Sequence, residues 1–292
     1  MREIGQEIRL ARQRSNIKAT RACEEFGWSA SKLSKIEKGF RRPSSWDVAR
    51  LLGLCSVGPE TEGTLRALVE EFDAGYFVRR HGNRLPEALT VVAMHEAMAT
   101  AVTTYAPVVV PSLAQSADYA RALLNDELEA GADVDAAVES RMARRNRLLY
   151  GVTAPCVVVY LGEMALSGVV GSAAVMHDQL TALAMMVSRG VITLRIIPRS
   201  ASLSRLGQGG SQLEFRRFPS VVYAEIDCLT VVYDDVDLVN RWRTKESRLD
   251  EVALTASDSL DLLLYWVDHY GRLSTSVAPP APAAAGSDDA RS

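Results

Sequence analysis

Ala30, Ser31, Ser34 and Lys35 recur at intervals that place them along one side of a short helix, and their side chains suit the edges of DNA bases. Serine hydroxyls donate and accept, so Ser31 and Ser34 can meet several bases. The Lys35 ammonium can donate to guanine O6 or N7, and the Ala30 methyl can meet that of thymine. Lys32, Lys38, Arg41 and Arg42 flank the row and suit phosphates, where they would set affinity and its salt dependence but not sequence preference. The rival reading is a charged face that is simply solvated. Against it stands a coincidence of signals: a glycine stop at Gly27, a helix cap at Ser29, inward-facing Leu33 and Ile36, and clustered basic flanks.

The elements that must position this row follow from periodicity. Ile4, Ile8, Leu10 and Ala11 repeat at helical spacing over residues 3–15, and a second helix over 18–26 ends at Gly27. The third runs from the Ser29 cap to Gly39, with Arg41-Arg42-Pro43 as its exit loop. Ser44 and Asp47 predict a capping box for a helix over 46–52. Pro59 opens a fifth helical stretch that carries Leu65, Leu68, Val69 and Phe72 up to Tyr76-Phe77. Residues 81–84 read as a hinge. Beyond them the pattern predicts helices over 87–104, 115–129 and 134–150, a strand over 156–161, a helix over 173–189 and a strand over 191–197. Strand, crossover helix and strand make a βαβ unit with parallel neighbours. Three further strands, antiparallel to one another, are expected over 213–218, 221–226 and 229–233, then a last helix over 248–271.

The expected fold class is therefore α+β and multidomain: an N-terminal all-α helix-turn-helix bundle, then a helix-rich mixed α/β regulatory domain. The expected boundaries are 1–80 for a DNA-binding domain, 86–272 for a regulatory or partner-binding domain, and 273–292 for a disordered tail rich in Ala, Pro, Ser and Asp.

Charge divides the same way. The 292 residues carry a net charge of -3, yet residues 1–53 hold 12 Lys and Arg against 6 Asp and Glu, leaving 21 basic and 30 acidic residues in the remainder. A basic head that meets phosphate and an acidic body that does not is the expected arrangement. One short reading helix carries too little specificity alone, so a homodimer on a palindromic duplex is expected, joined through the 61–77 stretch or the body. The first residues, with Glu3 and Glu7 and no apolar core, do not read as a secretion signal, and no apolar run suits a bilayer. A cytoplasmic protein without membrane contact is expected.

Other chemistries find less support. Cys23, Cys55, Cys156 and Cys228 lie far apart among apolar residues and read as buried reduced thiols, with no metal site. The pairs His95-Glu96 and His177-Asp178 sit on helices, point to different faces and read as solvated. Glu163 follows a strand, the usual position of a ligand site in α/β sheets, but no nucleophile elbow or phosphate loop accompanies it. Arg195, Arg199, Arg205, Arg216 and Arg217 could form a surface for an anionic partner. No catalytic residue and no cofactor are assigned.

Gly27-Trp28-Ser29-Ala30-Ser31-Lys32-Leu33-Ser34-Lys35-Ile36-Glu37-Lys38-Gly39 resembles the helix-turn-helix of XRE-type, lambda-repressor-like regulators, in the actinobacterial version that reads G-W-S-x-S-K-[IL]-S-[KR]-[IL]-E-x-G. That family usually opens its second helix with Thr-Gln. Lys18-Ala19 stand there in this chain, so the cap is lost and the Lys18 charge replaces the glutamine contact to phosphate. Residues 105–121 are similar to the signature P-x-x-V-P-G-L-L-Q-T-x-x-Y-A-R of the regulatory domain attached to this motif in WhiJ-type regulators, with Ser112, Ala114 and Ser116 as departures. The resemblance implies a body that binds a small protein encoded nearby, or a signal, and offers an antitoxin as the alternative role. Val109, Pro111, Leu113, Gln115 and Tyr119 are the residues it would use; the competing reading is that they pack within the chain.

Overall fold

A computed structural model describes residues 2–41, 43–63, 65, 76–80, 90–128, 131–201, 206–226 and 229–276. The hinge expected over 81–84 and the tail beyond 276 lie outside the described residues. Four helices open the chain: α1 (Arg2–Arg14), α2 (Ala19–Phe26), α3 (Ala30–Glu37) and α4 (Ser45–Cys55). There follow β1 (Tyr76–Arg80), α5 (Thr90–Glu96), β2 (Ala101–Ala106), α6 (Ala117–Glu127) and α7 (Val134–Tyr150). Next come β3 (Cys156–Gly162), the short α8 (Met164–Ser167), α9 (Ala173–Ser188) and β4 (Thr193–Ile197). The strands β5 (Gly210–Glu214), β6 (Val221–Ile226) and β7 (Leu229–Tyr233) precede α10 (Val236–Val252) and α11 (Ala256–Ser276). An all-helical bundle followed by a mixed α/β region is the expected class.

The chain divides into two compact units: Met1–Tyr105 with Asn146–Val158 and Ser202–Val252, and Ala106–Arg145 with Val159–Ala201 and Ala253–Ser292. The first unit holds the helical bundle, whose apolar sides close on Ile4, Ile8, Ala22, Leu33, Ile36 and Leu51. It also holds the strand order β1-β7-β6-β5-β2. Every one of these pairings is antiparallel; β6 and β7 lie at the expected 221–226 and 229–233, whereas the strand expected over 213–218 lies instead at 210–214. In the second unit the end of β3 and β4 are neighbours, joined through α9, and Ser259 on α11 accepts a hydrogen bond from the Ile196 amide. The strand–helix–strand order is thus present.

Three further expectations about elements are corrected. The stretch read as helical up to Tyr76-Phe77 ends in β1, whose Tyr76 to Arg80 pair with Tyr233 to Leu229. The helix over 87–104 stops at Glu96, and Ala101 to Tyr105 pair with Glu214 to Gly210. Val102, Thr103, Thr104 and Tyr105 are β-branched or aromatic, and a ladder partner decides in favour of the strand. The single last helix is two. The Leu254 amide turns away to donate to Ile196, and Thr255 with Asp258 caps a fresh start. The cysteines are corrected too: Cys55 is buried, but Cys23 is only half-buried and Cys156 is exposed, while Cys228 lies outside the described residues.

Candidate nucleic-acid interface

The turn between α2 and α3 is built from local preferences. Gly27 closes α2 at φ +64, a left-handed conformation that favours glycine, and the Trp28 amide reaches back to the Cys23 carbonyl at 2.9 Å. The Ser29 hydroxyl then accepts from the Lys32 amide at 3.1 Å and starts α3. Leu33 and Ile36 point inward, 1% and 0% exposed. The opposite side carries Ala30, Ser31, Lys35 and Lys38 in the open, with Ser34 half-buried between them.

What holds α3 in place is a contact that periodicity does not report. The Arg12 guanidinium donates from Nε to Glu37 Oε1 at 2.6 Å, from Nη2 to Glu37 Oε2 at 3.1 Å, and from Nη1 to the Ile17 carbonyl at 2.7 Å. The hydrogen bond to Glu37 raises the Arg12 pKa against the opposing effect of burial. Gly5 lets α1 approach that end of α3: a Cβ there would stand 2.4 Å from the Ile36 carbonyl oxygen. A charged residue following the inward Ile36, and Arg12 beside the inward Ala11, are the only sequence signals for the pair.

Lys32 is differently placed from its expected role at a phosphate. Its Nζ lies 3.9 Å from the Trp28 ring centroid and 3.2 Å from Asp47 Oδ1. Asp47 completes the capping box of α4, accepting from the Ser44 amide while its own amide donates to the Ser44 hydroxyl. Burial works against the Asp47 charge, but the bonds from Ser44 and Lys32 prevail and hold its pKa below the ordinary value. Lys18 precedes α2 without a side-chain cap, as its sequence implies, and is exposed. Arg41 is exposed; Arg42 lies outside the described residues.

The bundle also meets the sheet of its own unit. The Arg2 guanidinium sits 3.8 Å from the Phe215 ring centroid and 4.2 Å from that of Phe218, and donates to the Pro219 carbonyl at 3.2 Å. Burial pushes its pKa down to about 10, with Asp234 acting in the other direction. Phe40, three residues past the end of α3, stacks on Phe218 with centroids 4.4 Å apart. Glu3 pairs with Arg79 on β1 at 2.6 Å.

A family model described as a helix-turn-helix domain matches residues 3–65. A second, described as a domain of unknown function (DUF5753), matches residues 89–264, more than half of the chain. The chain belongs to the DUF5753 family. A comparison with curated proteins found no match.

Within the DUF5753 segment, the five residues expected at a partner surface separate. Leu113, Gln115 and Tyr119 are buried. The Gln115 amide donates to the Val110 carbonyl at 2.8 Å and accepts from Arg141 at 2.9 Å, and its main-chain carbonyl accepts from Arg145. The Tyr119 hydroxyl accepts from the Val110 amide, and burial pushes its pKa up. Pro111 is half-buried, and Val109, with Val108 before it, is exposed. Some of the segment's other polar residues are also drawn into the fold. Glu163 accepts from the Arg199 amide at 2.9 Å, the Arg199 guanidinium meets the Ser167 hydroxyl, and Arg195 donates to the Leu254 carbonyl.

One of the two histidine pairs departs from its solvated expectation. His95 and Glu96 of the DUF5753 segment are both buried. Burial, with the nearby Arg2 charge, lowers the His95 pKa to about 4, and Glu96 accepts from the Tyr223 hydroxyl at 3.2 Å. His177 is half-buried and Asp178 exposed, and the two touch each other at 3.2 Å rather than diverging. No group of three or more metal-ligating side chains occurs among the described residues, and no helix among them is long and apolar enough to cross a membrane.

Proposed function

We propose that this protein is a sequence-specific DNA-binding transcriptional regulator, working as a homodimer in the cytoplasm. Its DUF5753 segment would bind a small protein partner or a signal. The observation that supports this reading is the capped and clamped α3, which leaves Ala30, Ser31, Lys35 and Lys38 outward in one row. A rod of that width carrying hydroxyl, methyl and ammonium groups suits a major groove. Ser34, Arg41 and Lys18 add a base contact and two phosphate contacts. Arg42 is proposed for the same role from its sequence position. Lys32 contributes by steadying the start of α3 more than by reaching DNA. The test is selection of duplexes from a randomised pool by the full chain, followed by gel shift. A consensus with two-fold symmetry, weakened by Lys35→Ala, is the expected result; retention of random sequence alone would reject the reading.

A second reading, an antitoxin that neutralises a small protein and regulates its own operon, draws on the exposed Val108 and Val109 beside Pro111. Leu113, Gln115 and Tyr119 would shape that segment from beneath. Co-expression of the full chain with any very small protein encoded beside it checks this. A stable complex lost in Val108→Asp/Val109→Asp supports the reading, and no complex removes it.

A further inference from the structure

Phe215-Arg216-Arg217-Phe218 lies between β5 and β6, and its four residues divide by type. Phe215 and Phe218 are anchors, held against Arg2 at 3.8 and 4.2 Å. Arg216 and Arg217, between the anchors, are exposed. The anchor Phe218 is itself stacked on Phe40, centroids 4.4 Å apart with rings 16° from parallel. Phe40 is the residue between Gly39, two residues past the end of α3, and Arg41, an exposed cation at the exit of that helix. Gly39 in turn rests on Arg2: a Cβ there would stand 2.8 Å from the Arg2 Cα. The β5–β6 turn is thus fixed beside the exit of α3 by the Phe40–Phe218 stack and by the Arg2 cage, Arg2 itself lying against Gly39. Two exposed arginines of the DUF5753 segment thus lie on a turn that packs against Phe40, the neighbour of Arg41.

We propose that Arg216 and Arg217 form a second DNA contact, gripping the phosphate backbone alongside the segment read by α3. The proposal rests on the DNA reading above and deepens it: part of the DUF5753 segment belongs to the DNA-binding surface. Arginine suits the task because its planar fork matches phosphate oxygens two at a time and never loses its charge. Such contacts carry no base information, so they add affinity that salt weakens.

The experiment measures the affinity of the full chain for a duplex selected by that chain, across a salt series. Arg216→Ala/Arg217→Ala is expected to make the slope of log affinity against log salt shallower by about two units. Affinity should fall on the order of tenfold or more at 0.1 M salt, with the ranking of competing duplexes unchanged. The lysine pair Arg216→Lys/Arg217→Lys should restore most of the slope. Phe218→Ala, which keeps both charges but frees the turn, should also weaken binding. A double alanine variant with the parent's slope overturns the proposal while leaving the α3 reading intact. A loss in that variant with none in Phe218→Ala would mark bulk charge rather than placement, and overturns it equally. If the unaltered chain holds no duplex, the DNA reading fails first and this inference with it.

Discussion

Arg12 and Glu37 form a two-bond ion pair at 2.6 and 3.1 Å that joins α1 to the end of α3. Both side chains are only 11% exposed, so the charges depend on each other. Removing one partner of a largely buried pair leaves the other uncompensated, at a cost of about 3 kcal/mol. Glu37→Ala should lower stability by that order in urea unfolding of the full chain, and Glu37→Gln, which keeps the shape, by less. Unfolding curves that superimpose on the parent's would show that the pair is not what fixes α3.

Lys32 and Lys35 are three residues apart, and they should behave differently. Lys35→Ala is expected to cost about 1–3 kcal/mol of discrimination between duplexes and little stability. Lys32→Ala breaks contacts to Trp28 and Asp47 and should cost about 1 kcal/mol of stability. Its effect on duplex ranking should be small. Paired thermal melts and gel shifts on the two variants test the division, and identical profiles would refute it.

Gly5→Ala puts a methyl group where the Ile36 carbonyl oxygen already stands, 2.4 Å away. The first helix must retreat from α3. A loss on the order of 2 kcal/mol is expected, seen as a lower melting temperature with weaker duplex binding. A variant as stable as the parent would place the two helices farther apart than described.

His95 supplies a pH dependence. Its pKa is about 4 in the folded chain because burial and the Arg2 charge disfavour the imidazolium, whereas an unfolded histidine titrates near 6.5. Between those values the unfolded state binds more protons, so stability is complete above about 6.5 and declines as pH falls toward 4. The contribution amounts to about 2 kcal/mol between pH 7 and pH 5. His95→Leu should flatten that part of the stability profile in denaturant titrations at the two pH values. An unchanged slope would mean the imidazole already protonates in the native state.

The helix-turn-helix is legible because its signals are local. Gly27, Ser29, Ser44 and Asp47 act within three or four residues of where they stand, and Leu33 and Ile36 report their own side of the helix. Pairings across long sequence separations left weaker traces. Residues 102–105 carry strand-forming side chains, but a helical pattern runs into them from before, and only the partner at 210–214 decides between the two. Lys32 looks like a phosphate ligand until Asp47, fifteen residues on, is found beside it. Gln115 offers a hydrogen-bonding amide to any partner, yet Arg141 and Val110 use it first. The Thr255-Asp258 cap was a local signal that apolar periodicity alone overlooked.

The ribbon Tyr76–Arg80 leaves the helical head and becomes the outermost member of the ladder, against Leu229–Tyr233. Fragments of this protein therefore have no clean seam after residue 80. A piece begun there would strip β7 of its neighbour and bare a row of amides and carbonyls that other copies can zip onto. Such a fragment should precipitate or form mixed oligomers in sedimentation, where one begun at residue 76 should remain dispersed.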